Sequence, residues 1–556
     1  MSERIFIGVA WPYANGPLHL GQIAGAYLPP DIFARYHRTK GNEVVMVSGS
    51  DQHGTPTTIK AEQEGKTPAE IAAFYHQQHL DSWQKLGISF DLYTTTGTAN
   101  HAEVAQDIFL TLFKNGFTYR DTVSQAYCPH CQRFLPDRYV EGTCPYCDSP
   151  NARGDQCEDC GKPMNTPDLI DLRCSICGTT PVFKNSEHFF LRLPAFRDKL
   201  LAWVKQQTHW RQNVLNFTTR YLEGGLIDRA ITRDIDWGIP VPVDGFENKR
   251  IYVWFEAVIG YLSATKEWAK STGDDEKWRS FWQGDVKSYY FIGKDNIAFH
   301  TIVWPAMLMG YGDLNLPYDV PANEFLTIEG KKLSTSRNWA VWLPDYLSRY
   351  DPDPLRYLLS INMPETGDTD FSWREFIRRN NDELVATYGN LVHRVLTFVY
   401  RNFDGCVPTP GELDSRSQAL IDTAKDTLNT MDGLLYRCHF KEGIRSAMSL
   451  AQETNRYLDE KSPWKLIKQD RQASATVLYA AIAVLSCLST ALYPFLPFSS
   501  QRLREFLGFE GSIEDCGWQL TMPQPGQKLL PPQPLFTKLD EELVEEETGR
   551  LGHGHY

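Results

Sequence analysis

The 556 residues, 42% of them hydrophobic and 13% aromatic, fit a soluble globular protein of roughly three or four domains. A formal net charge of -13 argues against a protein that coats nucleic acid non-specifically, while leaving room for a local basic groove. No basic segment followed by an apolar one opens the sequence, so secretion is not expected and a cytoplasmic location is.

In chain order, Arg4–Val9 and Glu43–Val47 read as strands, Leu28–Tyr36 and Pro68–Leu86 as helices. Their alternation predicts a parallel α/β sheet. Between the first strand and a helix starting near Leu20 lies a loop rich in Gly, Pro and Asn, Ala10 to Gln22. Such a loop places backbone N–H groups at a helix N-terminus, a natural phosphate site, and His19 stands at its mouth with a ring nitrogen able to donate. Over residues 116–230 cysteines, prolines and turn residues dominate, until Phe183–Leu193 returns to regular structure. Sheet signals resume at Ile251–Phe255 and Tyr289–Gly293, which predicts one nucleotide-binding domain interrupted by an insertion.

Within that insertion stand four C-x-x-C pairs: Cys128/Cys131, Cys144/Cys147, Cys157/Cys160 and Cys174/Cys177. Each pair aims two thiolates at one ion, and two pairs complete a tetrahedral site, so two Zn²⁺ are expected. Four thiolates leave no open position, which makes the sites structural; spacing allows sequential or nested pairing. Cys406, Cys438, Cys487 and Cys516 read as core or incidental residues. Further on, Glu329 to Arg337 combines Lys331 and Lys332 with Ser334, Thr335 and Ser336. Mobile lysines beside hydroxyls suit a leaving pyrophosphate.

From about Ser372 the pattern is helical, with a period near 3.6 in Glu383–Tyr400, Ser417–Leu435 and Lys441–Leu458, and predicts an α-helical bundle. Val477–Phe498 is uncharged and long enough to span a membrane, but Ser486, Ser489, Thr490, Pro494 and Pro497 favour a buried helix. Residues 523–534 are Pro-rich and read as a connector or wrapping arm. The tail, with Asp540, Glu541, Glu542, Glu545, Glu546 and Glu547, is expected to be solvated or disordered.

Several of these segments share a family. His19-Leu20-Gly21-Gln22 resembles the HIGH signature of class I aminoacyl-tRNA synthetases, and Lys332-Leu333-Ser334-Thr335-Ser336 resembles their KMSKS loop. Asp353-Pro354-Leu355-Arg356 resembles the acidic–Leu–Arg helix start that follows. Pro12 to Gly16, Ser50 to Pro56, Tyr252 to Trp254, Gly293 to Asp295 and Phe299-His300 are closer still to the methionyl-tRNA synthetase family, over about residues 4–500. The resemblance implies a Rossmann-like α/β catalytic domain (1–115 and 231–325) split by a zinc-knuckle connective insertion (116–230). It also implies a KMSKS-like loop and stem-contact region (326–385), an all-α anticodon-binding domain (386–522) and a C-terminal arm (523–556).

The implied activity is ATP-dependent formation of methionyl-adenylate and transfer of methionine to tRNA(Met), with Mg²⁺ accompanying ATP and a monomer as the functional unit. His19, Gly21, Gln22, Lys332, Ser334 and Thr335 match the catalytic signatures. Gly293, Lys294, Asp295 and Lys331 join His19, Gln22, Lys332 and Thr335 in the ATP site. Ala10, Tyr13, Asp51, Trp254, Ala257, Tyr261 and His300 match the methionine pocket, with Asp51 on the substrate ammonium. Asn390, Arg394 and Trp464 match the anticodon readers, and residues 436–468 carry seven Lys/Arg against four Asp/Glu. The family also implies nested zinc pairing, with Cys144, Cys147, Cys157 and Cys160 on one ion and the outer four on the other.

Three positions depart from the pattern. Gln22 replaces the second histidine of HIGH, Thr335 replaces the second lysine of KMSKS, and Trp11 stands where many relatives have a smaller aliphatic residue. Lys331 or Arg337 is expected to supply the missing charge. A sister enzyme for leucine, isoleucine or valine would need an editing insertion too large for this one. A cysteine enzyme would need zinc at the active site. A catalytically silent paralogue would rest on Gln22 and Thr335 alone.

Overall fold

The protein is described here by a computed structural model that covers residues 2–135, 139–154, 157, 166–335 and 337–553. Its centre is a five-stranded parallel sheet in the order Ala322–Asn323, Lys287–Gly293, Arg4–Val9, Glu43–Ser50, Leu92–Thr95. Alternation along the first strand builds two cores. Ile5, Ile7 and Val9 face one that continues under Leu28–Thr39 into the C-terminal helices, while Phe6 with Val45 and Val47 faces a second, covered by Ala99–Lys114 and Gly260–Ser271. The chain winds outward from Arg4–Val9 through the second and third strands, then returns to the other side of the first. Strand order therefore reverses between Arg4–Val9 and Lys287–Gly293, and a crevice opens at their carboxyl ends.

The predicted strand Ile251–Phe255 is corrected. Its pairing ends at Ile251, and Val253–Glu256 starts a helical run that continues through Ala257–Ile259 into Gly260–Ser271. A short buried apolar run reads alike in either state, and here one extended residue, Tyr252, starts the helix. The insertion stands on a long antiparallel pair, Thr118–Cys128 with Val182–Leu191. A small sheet of Ala152–Arg153, Val140–Thr143 and Ile170–Cys174 lies beyond it.

The C-terminal helices Asn390–Asn402, Ser415–Tyr436, Phe440–Lys461 and Arg471–Leu492 form the expected bundle. Every residue from Ser474 to Leu492 is buried, and Ser474, Ser486 and Ser489 donate to the carbonyls of Pro463, Thr521 and Ser486. The long apolar segment is thus a core helix of the bundle. The acidic tail is ordered rather than disordered: Asp540, Glu541, Glu542, Glu545 and Glu546 are exposed as expected, and Glu547 is the exception. Leu543–Arg550 is a helix, and Glu547 is buried against Arg349 and accepts from the Tyr350 hydroxyl at 2.7 Å. The contact pays because the carboxylate gains a cation and a phenol at once.

One buried carboxylate is central to the join between sheet and bundle, beside contacts such as those of Tyr36 and Lys40 with Asp432. Asp31, fully buried on the helix Leu28–Thr39, accepts from Arg35 Nε at 3.0 Å and from Arg356 at 2.6 Å. Arg356 also donates to the carbonyls of Phe495, Pro494 and Leu86, and Arg35 donates to the Tyr493 hydroxyl and Gly87. Burial opposes the Asp31 anion, but the two guanidiniums win and hold its pKa down to about 2. Its contribution is present above the unfolded carboxylate range and lost as pH falls toward 2. Arg356→Ala leaves this buried charge half-paired, and should cost about 3–5 kcal/mol, read as a lowered denaturation midpoint at pH 7. An unchanged midpoint would show that the knot carries no such energy.

Candidate active site

The first strand delivers its loop to the crevice with little freedom. The Ala10 N–H donates to the Phe291 carbonyl at 3.1 Å, and the next residues pair with the end of the second strand. There the Asp51 N–H reaches the Pro12 carbonyl at 2.7 Å and the Ala14 N–H reaches that of Asp51 at 2.8 Å. Tyr13 and Asp51 are thereby set side by side. Trp11 turns its ring into a slot between Gly49 and Gly260. A Cβ on either glycine would lie within 2.3 Å or 2.7 Å of that ring, so both must be glycine for this indole to fit.

His19 caps the helix that begins at Leu20. Its Nδ1 accepts from the Gln22 N–H at 3.3 Å, and the Gln22 carboxamide oxygen accepts from the His19 N–H at 3.0 Å. The ring proton therefore sits on Nε2, free to donate into the crevice. Burial lowers the His19 pKa to about 4, so the ring is neutral at pH 7. The departure at Gln22 thus has a local role: its oxygen closes the cap, leaving the amide N–H groups as donors.

The second loop follows a hairpin in which Lys331–Lys332 pairs with Leu326–Ile328, and it is closed by Ser334 and Trp339, N–H to carbonyl both ways. Leu333 carries it onto the first loop: a Cβ at Gly21 would lie 3.1 Å from Leu333 Cδ1 and 3.2 Å from His19 Nδ1. The Leu20 N–H donates to the Val341 carbonyl and the Leu343 N–H to that of Leu18, so the segment following the second loop is stitched to the first loop beside this contact. Lys332 and Thr335 are exposed, while the Lys331 ammonium lies 4.2 Å from the centre of the Trp339 ring. Ser336 lies outside the described residues.

Not every expected ATP contact is available. Lys294 is ion-paired with Glu324 at 2.7 Å and Asp368 at 2.8 Å, so its charge is spent within the protein. Gly293 turns the chain at the end of its strand with Asp295 close behind, a Cβ there meeting Asp295 Oδ1 at 2.8 Å. Burial raises the Asp295 pKa above the ordinary carboxylate range.

The residues expected around methionine fall into two hydrogen-bonded pairs. Trp254 Nε1 donates to the Tyr13 hydroxyl at 3.0 Å, and the indole meets Phe299 edge-on with ring centres 5.3 Å apart. Ala257 follows Trp254 on the same helical run, half-buried like Ala10. His300 and the Tyr261 hydroxyl are 2.7 Å apart, and His300 Nδ1 donates to the Asn296 carbonyl at 2.9 Å. His300 Nε2 is then the acceptor for Tyr261, and burial, with a pKa of about 4, keeps the ring neutral. A neutral, polarisable lining suits a thioether better than a charged one.

Sequence reasoning missed the layer behind Asp51, where His53 Nδ1 and Glu256 Oε1 lie 2.8 Å apart with Glu256 fully buried. An acid within the apolar run Ile251–Ile259 was the available signal, since a buried charge needs a partner.

In the insertion the thiols of Cys128, Cys131, Cys174 and Cys177 form one group, and those of Cys144, Cys147 and Cys157 another. Cys160 lies outside the described residues. The grouping is nested, and the sulfur separations of 3.5, 4.0 and 3.7 Å for Cys128/Cys177, Cys131/Cys174 and Cys147/Cys157 bracket the ~3.8 Å edge of a tetrahedral zinc–thiolate site. Both groups fit Zn²⁺. In the bundle, the Arg394 guanidinium lies 4.7 Å from the centre of the Trp464 ring, and Asn390 is exposed one turn earlier on the same helix.

Comparison with known proteins agrees with this architecture. The family model of class I tRNA synthetases (M) matches residues 5–396, and that of the anticodon binding domain of methionyl tRNA ligase matches residues 407–554. The chain belongs to the class I tRNA synthetase family of the methionyl type. It is 65% identical over 552 residues to methionine–tRNA ligase of Dehalococcoides mccartyi, covering 99% of this chain and 100% of that one. It is 53% identical over 579 residues to the Thermomicrobium roseum enzyme of the same name, with 99% of both covered. Among solved structures, Mycobacterium tuberculosis methionyl-tRNA synthetase in complex with methionyl-adenylate superposes with a TM-score of 0.80 at 27% identity, covering 96% of this chain and 100% of that one.

The packing at Gly21 gives a direct test. Gly21→Ala pushes on Leu333 and the His19 ring together, and should lower kcat/KM for ATP by roughly tenfold in ATP–pyrophosphate exchange, with the KM for the amino acid little changed. Wild-type values for ATP would show that the two loops need not touch.

Proposed function

We propose that the protein activates L-methionine with ATP, forming methionyl-adenylate and pyrophosphate, and then transfers the methionyl group to the 3′ end of tRNA(Met). The observation that carries this reading is the junction of the His19 loop with the Lys332 hairpin at the sheet's switch point, beside the paired side chains Tyr13–Trp254 and Tyr261–His300. ATP enters as its magnesium complex. The carboxylate of methionine is already ionised at neutral pH, so attack on the α-phosphorus needs no general base. The site must hold the two reactants in line and balance the charge that grows on the leaving pyrophosphate.

Each residue has a part in that task. Neutral His19 donates from Nε2 to a phosphate oxygen, backed by the helix N-terminus it caps and by the Gln22 amide. Exposed Lys332, with Ser334 and Thr335 beside it, meets the pyrophosphate. Lys331 moves off the Trp339 face to replace the lysine absent at Thr335. Gly293 and Asp295 line the nucleotide side, and Lys294 acts there by holding Glu324 and Asp368 in place. Asp51 takes the substrate ammonium in a charge-assisted contact, while Ala10 and Ala257 complete the apolar fit.

The adenylate carbonyl is then attacked by the terminal ribose hydroxyl of the tRNA, with AMP leaving. Asn390, Arg394 and Trp464 read unstacked anticodon bases by hydrogen bonding and stacking. Two Zn²⁺ ions, held by the nested cysteine pairs, fix the shape of the insertion and take no part in the chemistry. The protein acts as a cytoplasmic monomer.

Methionine-dependent ATP–pyrophosphate exchange by the purified chain tests the reading. Exchange with methionine is expected, and Lys331→Ala should slow it. No exchange with any amino acid would favour a silent paralogue, and exchange driven by leucine or valine a sister enzyme.

A further inference from the structure

Behind Asp51 lies a buried group of ionisable side chains, His53, His101 and Glu256, to which the proposed reaction assigns no part. Asp51 is 3% exposed, His53 8%, His101 1% and Glu256 0%. His53 Nδ1 is 2.8 Å from Glu256 Oε1, and the His53 backbone N–H donates to Asp51 Oδ1 at 3.3 Å. The other Glu256 oxygen faces His101 Nε2 at 3.8 Å, too far for a hydrogen bond, while His101 Nδ1 and the Ser263 hydroxyl are 2.8 Å apart. Trp237 closes the outer side, its indole N–H on the Gln52 carbonyl and its ring centre 5.5 Å from that of His53.

Two carboxylates in one enclosed space oppose each other's ionisation unless a cation stands with them. We propose that His53, fixed by Glu256, is the positioning residue of the methionine site. Its imidazolium balances the buried Glu256 carboxylate and leaves Asp51 as the carboxyl group that ionises when the substrate ammonium binds. The inference rests on the reading of Asp51 as the ammonium ligand. The ionisable groups that face Asp51 are Glu256 and His53, and those that face Glu256 are His53, His101 and Asp51. Burial and then Glu256 push the Asp51 carboxyl up to about 8 in the empty site. Burial opposes the His53 cation, but Glu256 outweighs it and raises the ring above its ordinary value. Methionine binding then ionises Asp51, and its proton leaves to solvent as the ammonium takes its place.

The signs separate this role from simple packing. Removing the His53 charge leaves Glu256 unbalanced beside Asp51 and drives the Asp51 titration upward. Removing the Glu256 charge as well relieves that repulsion. In ATP–pyrophosphate exchange, His53→Gln should raise the KM for methionine about tenfold at pH 7, with the loss shrinking by pH 8.5 and the KM for ATP unchanged. The double variant His53→Gln/Glu256→Gln should recover most of the loss. Calorimetry of methionine binding to the wild-type chain in two buffers of different ionisation enthalpy should show about one proton released per methionine at pH 7.

An unchanged KM in folded His53→Gln, a double variant worse than the single one, or binding without proton release would overturn the proposal. Methionine-dependent exchange in the wild type separates these failures from failure of the functional reading. If the wild type lacks it, both fall; if it has it, only the role of His53 does.

Discussion

A single buried carboxylate, Asp31, sits at the centre of the contact between the halves of this molecule. Paired with Arg35 on its own helix, it accepts from Arg356 midway along the helix Pro352–Ile361, and Arg356 in turn donates to the carbonyls of Pro494 and Phe495, just past the core helix of the bundle. Charges taken from water are costly unless each donor and acceptor finds its partner, so this arrangement tolerates few alternatives. It specifies a docking angle more than it adds stability. The helix it sits on continues directly from the residues His19 caps, through Ile23–Tyr27. The phosphate loop and the tRNA-reading bundle are therefore referenced to the same backbone.

The active site repeats that economy of charge. Its histidines, His19 and His300, are kept neutral by burial and used as oriented donors or acceptors. Lys294 is already matched by Glu324 and Asp368. Lys331, Lys332 and Arg337 are exposed on the second loop, whereas Asp51 is buried at the end of the second strand. In the proposed function the former face the triphosphate and the latter the ammonium, with the neutral side chains between them.

Much of this was legible in the sequence, for identifiable reasons. Arg4–Val9 and Pro68–Leu86 were read to the residue because a continuous apolar strand and a helix with Thr67 and Glu70 at its start each carry strong local signals. The first loop was legible from composition and the second from its place beside the first and from family resemblance, which also grouped Tyr13, Trp254, Tyr261 and His300; their pairing appears only in the fold. What was not legible is decided by tertiary partners. Val253–Glu256 is apolar in either state, and its helix depends on what it packs against. Glu547 reads as one more solvated acid until Arg349 and Tyr350 are brought to it. Nested cysteine pairing, left open by spacing and implied only by the family resemblance, takes its geometry from the strands Val140–Thr143 and Ile170–Cys174. The capping role of Gln22 appears only when its oxygen is seen on the His19 N–H.

The central claim is that the crevice between the two loops holds methionine by its ammonium and ATP by its phosphates. A crystal structure of the chain with a non-hydrolysable methionyl-adenylate analogue tests it most directly. The account predicts the analogue's ammonium within about 3 Å of the Asp51 carboxylate, its thioether among Trp254, Tyr261 and His300, and its phosphate at the His19 Nε2. An analogue seated elsewhere, or in this crevice with its ammonium on another group, would contradict it.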